Sequence, residues 1–120
     1  MAVEELQAVI QSGGVLVLSG AGMSTGSGIP DYRGPNGAYA RGHQPMTYQD
    51  FLRHEAARRR YWARSHAGWT TFSRARPNAA HVAIAHMEQG GFVDAVITQN
   101  VDRLHQSAGS DHVIDLHGRL

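Results

Sequence analysis

The chain has 120 residues, of which 42% are hydrophobic, and a formal net charge of +1 with histidine neutral. This size suits one compact domain or part of one, and the small charge gives no strong field to attract nucleic acid or an acidic membrane. The sequence contains no cysteine, which excludes disulfides and thiolate metal sites. It has no apolar run of membrane-spanning length and no signal-peptide pattern, so we expect a soluble cytoplasmic protein.

The first third of the chain predicts a helix, a strand and a ligand-binding turn. Apolar residues at helical intervals predict a helix over residues 3–11, and the β-branched run 15–18 predicts a buried parallel strand. Three closely spaced glycines then permit a sharp turn, and Ser24 and Thr25 suit the N-cap of a following helix. A strand, a glycine turn and a helix N-terminus favour a dinucleotide pyrophosphate. The glycine spacing alone also fits a tight turn without a ligand, because it is one residue longer than the dehydrogenase fingerprint.

The middle third predicts a loop and a helical module. Residues 34–45 are rich in Gly, Asn and Pro and predict a mobile loop of the length that lids have. A short helix is expected over residues 47–54 with Thr47 as its N-cap, and a second over residues 58–72. This second helix interleaves arginines with aromatic residues, a pattern found in single-stranded nucleic-acid binders. We favour the simpler interpretation, in which the aromatics pack on one face and the arginines solvate the other.

The last third predicts further alternation of helices and strands. A helix capped by Asn78 should end at the Gly90-Gly91 pair, and strands are expected over residues 92–98 and 112–117. A short helical turn over residues 102–108 separates those two strands. The alternation predicts an α/β fold with a parallel sheet.

Polar residues follow two of the predicted strands, where ligands bind in parallel sheets. Gln99, Asn100 and Asp102 come after the second strand, and His117 ends the third. Taken singly, the first three could merely cap the next helical turn, and the histidine could be an ordinary strand-end residue. The remaining histidines lack the convergent spacing of zinc ligands, so we expect no metal site.

Three separated motifs in this order resemble the sirtuin family. The first reads Gly-Ala-Gly-x-Ser-x-x-Ser-Gly-Ile-Pro-Asp-Tyr-Arg over residues 20–33. The second is Pro-Asn-x-x-His at residues 77–81, and the third is Thr-Gln-Asn-Val-Asp-x-Leu-His at residues 98–105, followed by Leu-His-Gly at residues 116–118. The resemblance covers almost the whole chain. It implies the first half of a Rossmann-like parallel sheet (1–39 and 77–120) with an inserted loop and small helical module (40–76).

The resemblance also implies a function and a set of site residues. Sirtuins are NAD-dependent protein-lysine deacylases that release nicotinamide and move the acyl group to ADP-ribose. His117 is implied as the general base, a role that suits an imidazole near neutral pH. Asn100 is implied as a second catalytic residue, and it faces the nicotinamide ribose together with Gln99. Asp102 is implied to hold the nicotinamide carboxamide, for which a carboxylate is a suitable acceptor. The implied cofactor-binding residues are Gly20, Ala21, Gly22, Ser24, Asp31, Tyr32, Arg33, Tyr39, Gln99, Asn100, Val101 and Asp102.

The sequence departs from the sirtuin pattern in what it lacks. The family carries a four-cysteine zinc module and a second half of the sheet, including the adenosine-binding strands, and neither is found here. We therefore expect an N-terminal part of a sirtuin catalytic domain that is inactive by itself, with one flank of the sheet uncovered. Three alternatives stay open: a non-catalytic nucleotide-binding fragment, an NAD-dependent ADP-ribosyltransferase, and a dehydrogenase, although the acidic residue that a dehydrogenase needs after its second strand is missing.

Tyr61 and Arg64 are the expected substrate-binding residues. They are three positions apart and share a helix face. A hydroxyl and a guanidinium aimed at one pocket suit a carboxylate, and the spacing resembles that of sirtuins that remove dicarboxylic acyl groups. The expected partner is an acyl-lysine protein or peptide with a long or acidic acyl group. The alternative is that Arg64 solvates the helix while Tyr61 belongs to the core.

Overall fold

The structure, a computed structural model, describes residues 2–120 and contains a three-stranded parallel sheet. The strands, in spatial order, are β1 (Val15–Ser19), β2 (Val93–Thr98) and β3 (Val113–Asp115). Ser19 aligns with Thr98, and Thr98 aligns with Asp115. The carboxyl ends of all three strands therefore meet at one edge of the sheet, and the predicted α/β fold with a parallel sheet is confirmed.

The helices connect these strands in the predicted order. They are α1 (Val3–Gln11), α2 (Tyr48–Arg53), α3 (Glu55–Arg74), α4 (Ala79–Gln89) and α5 (Leu104–Ser107). The predicted N-caps of α2 and α4 are present: Thr47 Oγ1 accepts a hydrogen bond from the Asp50 N–H at 3.0 Å, and Asn78 Oδ1 accepts one from the Ala80 N–H at 2.9 Å. Helix α3 extends beyond the predicted 58–72 at both ends, and β3 is shorter than the predicted 112–117.

The turn after β1 differs from the prediction. Ser24 and Thr25 do not cap a helix, because they lie inside a 3₁₀ helix (Ala21–Ser27) whose N-cap is Gly20. The hydroxyl of Thr25 donates to the Gly22 carbonyl at 3.0 Å. Gly28 ends this 3₁₀ helix with φ of +88°, a left-handed conformation that glycine adopts without strain.

The two faces of the sheet have different surroundings. Val96 and Thr98 on β2 are buried on the face where α4 and α5 lie. On the opposite face, apolar side chains that alternate with them along the strands are exposed, namely Leu16, Leu18, Ile114 and Leu116. The prediction that β1 is fully buried is thus wrong for the described residues, and the expected uncovered flank is present.

The helical module packs less tightly than predicted. Among the residues of α3, only Ala57 is buried, and Trp62 and Trp69 remain more than half exposed. The aromatics instead contact one another on the surface, with Phe51 and Tyr61 in an edge-to-face pair at 5.3 Å. Arg58 is not merely a solvating residue, since its guanidinium donates to the Phe51 carbonyl at 2.8 Å and so satisfies the end of α2. The expectation that the aromatic residues pack along one face of this helix is therefore wrong for residues 2–120.

None of the helices over residues 2–120 is both long and apolar enough to cross a membrane.

Candidate functional site

A cavity of about 310 Å³ lies at the edge where the strands end. The glycine segment (20–34), the segment after β2 (99–102) and His117 after β3 all contribute to its wall. Eight of the residues expected at the site line this cavity: Ala21, Ser24, Tyr32, Gln99, Asn100, Val101, Asp102 and His117. Because the parallel strands end at the same edge of the sheet, residues up to 96 positions apart in the chain meet at this cavity.

The Asp102 carboxylate is held at both of its oxygens. Oδ1 accepts a hydrogen bond from the Leu104 N–H at 3.0 Å, at the start of α5. Oδ2 accepts one from the buried hydroxyl of Ser24 at 2.5 Å. Hydrogen bonds to an ionised oxygen are strong, so this pair fixes the carboxylate against the cavity wall and joins the glycine segment to the segment after β2.

Asn100 is fixed in a similar way. Its Nδ2 donates to the Gly20 carbonyl at 2.8 Å, and its own N–H donates to Thr98 Oγ1 at 3.1 Å. The amide plane of its side chain is therefore set by the end of β1, while its backbone is set by the end of β2. A polar group held this way needs little reorganisation to meet a ligand.

Asp31 closes a turn beside the cavity. Its Oδ1 accepts a hydrogen bond from the Gly34 N–H at 2.9 Å. A side chain at Gly34 or Gly37 would collide with Asp31, which explains why glycine occupies both positions. Asp31 lines a separate, larger cavity of about 700 Å³ with Arg41 and Thr71 of α3.

The expected substrate residues face a third cavity. Tyr61 and Arg64 line a space of about 450 Å³ together with Tyr32, Tyr39 and His43. The rings of Tyr32 and Tyr39 are in contact, with their centroids 5.9 Å apart. Tyr32 also lines the 310 Å³ cavity, so the two spaces share one wall.

Three expected cofactor residues do not line any of these three cavities. Gly20 takes part through its carbonyl, which holds Asn100. A Cβ added at Gly22 would meet no other atom of residues 2–120 within 4 Å, and Arg33 is exposed. The structure thus gathers most of the expected residues around one cavity and leaves these at its margin.

The sequence did not indicate two residues whose hydrogen bonds support the segments that line the cavity. Asn78 was expected to cap α4, which it does, but its Nδ2 also donates to the Met23 carbonyl at 2.8 Å and to Ser27 Oγ at 3.1 Å. Ser19 Oγ donates to Thr98 Oγ1 at 2.8 Å and contacts His105. The available signal was a polar residue at the end of an otherwise apolar strand, since such a residue needs a buried partner.

Across residues 2–120, no group of three or more His, Asp or Glu side chains is arranged to hold a metal ion. The donors around the 310 Å³ cavity are amides, a hydroxyl, a carboxylate and an imidazole. Such a set suits an organic ligand that carries a carboxamide and ribose hydroxyls, because each of these groups pairs with amides or carboxylates.

A parallel sheet with a polar cavity at its carboxyl edge, beside a glycine-rich turn, is the arrangement found in nucleotide-binding α/β proteins. The model of the Sir2 family matches residues 20–120. The chain belongs to the Sir2 family.

Known relatives agree with this assignment. The chain is 65% identical over 111 residues to NAD-dependent protein deacetylase 1 of Streptomyces coelicolor, a match that covers 92% of the chain and 37% of the relative. It is 57% identical over 110 residues to an NAD-dependent protein deacylase of Arabidopsis thaliana, covering 92% of the chain and 29% of that protein. The chain thus spans less than two fifths of the length of these relatives.

Solved structures share the fold. A Sir2 complex with a p53 peptide and NAD⁺ superimposes with a TM-score of 0.80 at 40% identity, covering 99% of this chain and 47% of that one. A Sir2 variant with a deacetylated p53 peptide and 3′-O-acetyl ADP-ribose gives a TM-score of 0.85 at 42% identity, covering 99% and 48%.

Proposed function

We propose that these residues form the nicotinamide-ribose end of the NAD site in an NAD-dependent protein-lysine deacylase. The observation that carries the proposal is the convergence of Ser24, Asn100, Asp102 and His117 on one cavity in a chain that matches the Sir2 family over residues 20–120. The names of the relatives and the NAD⁺ and peptide in a neighbouring structure support the same activity.

Asp102 and Asn100 would hold the ligand. When bound, NAD supplies an electrophilic ribose carbon from which nicotinamide departs. The Asp102 carboxylate, already oriented by Ser24 and Leu104, can accept a hydrogen bond from a carboxamide N–H. Asn100, whose side chain is held by the Gly20 carbonyl, would contact a ribose hydroxyl. Both interactions use groups whose orientation is fixed before the ligand arrives.

His117 would act as the general base. It follows β3, lines the cavity and is exposed to solvent, so its imidazole can exchange protons with water. A neutral imidazole can accept a proton from a ribose hydroxyl near neutral pH. The direction of proton transfer is thus from the ribose towards a ring nitrogen of His117.

The acyl preference is a finer part of the proposal. Tyr61 and Arg64 line one cavity, as their shared helix face predicted, and that cavity shares Tyr32 with the 310 Å³ cavity. An arginine beside a tyrosine hydroxyl favours a carboxylate-bearing acyl group, because guanidinium binds carboxylates in a two-pronged geometry. We therefore propose an acyl-lysine substrate whose acyl group is longer or more acidic than acetyl.

The test uses an enzyme in which residues 15–120 replace the matching segment of the Streptomyces relative, called the grafted enzyme below. We expect it to release nicotinamide from NAD only when an acyl-lysine peptide is present, while its His117→Ala variant does not. Nicotinamide release that ignores the peptide but modifies protein would favour the ADP-ribosyltransferase. NAD binding without any turnover, in a folded protein, would favour the non-catalytic fragment.

A further inference from the structure

Two buried histidines lie beneath the candidate site. His81 on α4 and His105 on α5 are 0% and 1% exposed. Their rings meet edge to face, with centroids 5.0 Å apart. Neither lines the 310 Å³ cavity, so neither can touch a ligand there.

His81 is tied to the glycine segment. Its Nδ1 accepts a hydrogen bond from the Asn78 N–H at 3.1 Å. A ring nitrogen that accepts carries no hydrogen, so the neutral ring carries its hydrogen on Nε2. The side chain of the same Asn78 donates to the carbonyl of Met23 and to the hydroxyl of Ser27. The ring of His81 therefore fixes the residue that holds the 3₁₀ helix in place.

His105 is tied to the segment after β2. Its Nε2 lies 2.8 Å from Ser19 Oγ. Ser19 Oγ also lies 2.8 Å from Thr98 Oγ1, so this hydroxyl joins the His105 ring to Thr98. Thr98 Oγ1 also accepts from the N–H of Asn100. An unbroken chain of hydrogen bonds thus runs from the His105 ring to the backbone of a residue on the cavity wall.

Burial keeps both rings uncharged. His81 Nε2, which carries the hydrogen of that neutral ring, and His105 Nδ1 are both buried with no hydrogen-bond partner among residues 2–120. Burial lowers the pKa of both histidines, and the neighbouring His81 lowers the pKa of His105 further. Both rings are therefore neutral at physiological pH. A proton added to His81 Nδ1 would oppose the Asn78 N–H and break that contact.

We propose that the neutral pair His81 and His105 is a positioning element. It holds the glycine segment and the segment after β2 in their relative positions at the cavity. This inference rests on the proposed NAD site. One ring acts through Asn78 on the 3₁₀ helix, and the other acts through Ser19 and Thr98 on Asn100. The pair packs ring against ring, so displacement of either one moves both walls of the cavity.

The test compares two replacements of His105 in the grafted enzyme. Glutamine places an amide group near the position of the imidazole Nε2 and keeps a hydrogen-bonding partner for Ser19 Oγ, whereas leucine fills the space without a polar atom. We expect His105→Leu to raise the KM for NAD about tenfold while the KM for the acyl-lysine peptide stays within about twofold, and His105→Gln to recover most of the loss. His86→Leu, an exposed histidine of α4, is the matched control and should leave both values unchanged.

Two further measurements keep the inference testable. If His105→Leu does not fold, Ser19→Ala removes the same link with a smaller change, and an unchanged KM for NAD in that variant would overturn the inference while leaving the proposed function intact. If the grafted enzyme has no NAD-dependent activity, the proposed function fails, and ¹⁵N NMR of the imidazole rings tests the pair by itself. Hydrogen on Nε2 of a neutral His81 ring at pH 7.5 supports the network, and hydrogen on Nδ1 of His81, or a charged ring at either position, contradicts it.

Discussion

Replacing Asn78 with aspartate separates its two roles. The side-chain oxygen of Asn78 caps α4, and its nitrogen donates to the half-buried Met23 carbonyl at 2.8 Å and to Ser27 at 3.1 Å. Asn78→Asp keeps the capping oxygen but replaces the donor with a second oxygen that faces a carbonyl. Asn78→Ala removes both the cap and the donor. The difference between these variants measures the tie between α4 and the glycine segment.

The expected magnitudes follow from the contacts. An unsatisfied carbonyl costs about 1–3 kcal/mol, and a carboxylate at a helix N-terminus returns about 0.3–1 kcal/mol. Asn78→Asp should therefore lower the free energy of unfolding by about 1–2 kcal/mol. Asn78→Ala adds the loss of a cap, about 1 kcal/mol, for a total of about 2–4 kcal/mol. Thr47→Ala is the control, because Thr47 caps α2 through a local hydrogen bond to Asp50, and it should cost about 1 kcal/mol.

The assay is urea unfolding at pH 7.5 followed by far-ultraviolet circular dichroism. With a slope of about 1–3 kcal/mol per molar urea, the Asn78→Asp cost moves the midpoint by about 0.3–2 M. The reasoning is refuted if Asn78→Asp is as stable as the unmodified chain while Asn78→Ala loses no more than Thr47→Ala. Asn78 would then be a helix cap and nothing more.

Four further outcomes are expected. His117→Ala in the grafted enzyme should lower turnover by about 10²–10⁴ with an unchanged circular dichroism spectrum, and near-normal turnover would refute its assignment as the base. On a panel of acetyl-, succinyl-, glutaryl- and lipoyl-lysine peptides, Arg64→Ala should lose activity selectively on the acidic acyl groups; a uniform response would contradict the pocket assignment. Because burial lowers the pKa of His81 and His105, the unfolded chain takes up protons first, so the free energy of unfolding should fall as pH drops below about 6.5, by up to about 1.4 kcal/mol per pH unit for each histidine. A flat profile between pH 5 and 8 would speak against their burial as neutral rings. Finally, the 120-residue chain by itself should show no measurable deacylase turnover, and nicotinamide release above a no-enzyme blank would show otherwise.

Local patterns predicted the parts of the fold that depend on neighbouring residues. The apolar runs gave the three strands, and Thr47 and Asn78 were recognised as caps because a cap acts within three residues. The alternation of helices and strands predicted the parallel sheet. The position of Asp102 and His117 followed from the rule that strand ends converge.

Contacts between distant residues could not be read from the same patterns. Ser24 has the composition of a cap, yet its hydroxyl is used by a carboxylate 78 positions away. The pairing of His81 with His105 depends on how α4 and α5 cross the sheet, which periodicity does not specify. The aromatic residues of α3 have a helical spacing that predicts a packed face, but that face has no partner within residues 2–120, and Trp62 remains 63% exposed.

Titration of NAD into the grafted enzyme tests the central claim most directly. Asp102→Asn keeps the size of the side chain and an oxygen for the Leu104 N–H but replaces the carboxylate acceptor, and Asp94→Asn makes the same change at an exposed residue of β2 away from the cavity. If the carboxylate holds the carboxamide, losing this hydrogen bond should weaken NAD binding about tenfold or more in Asp102→Asn and leave Asp94→Asn unchanged. Equal NAD affinity in the two folded variants and the unmodified grafted enzyme would contradict the placement of the NAD site at this cavity.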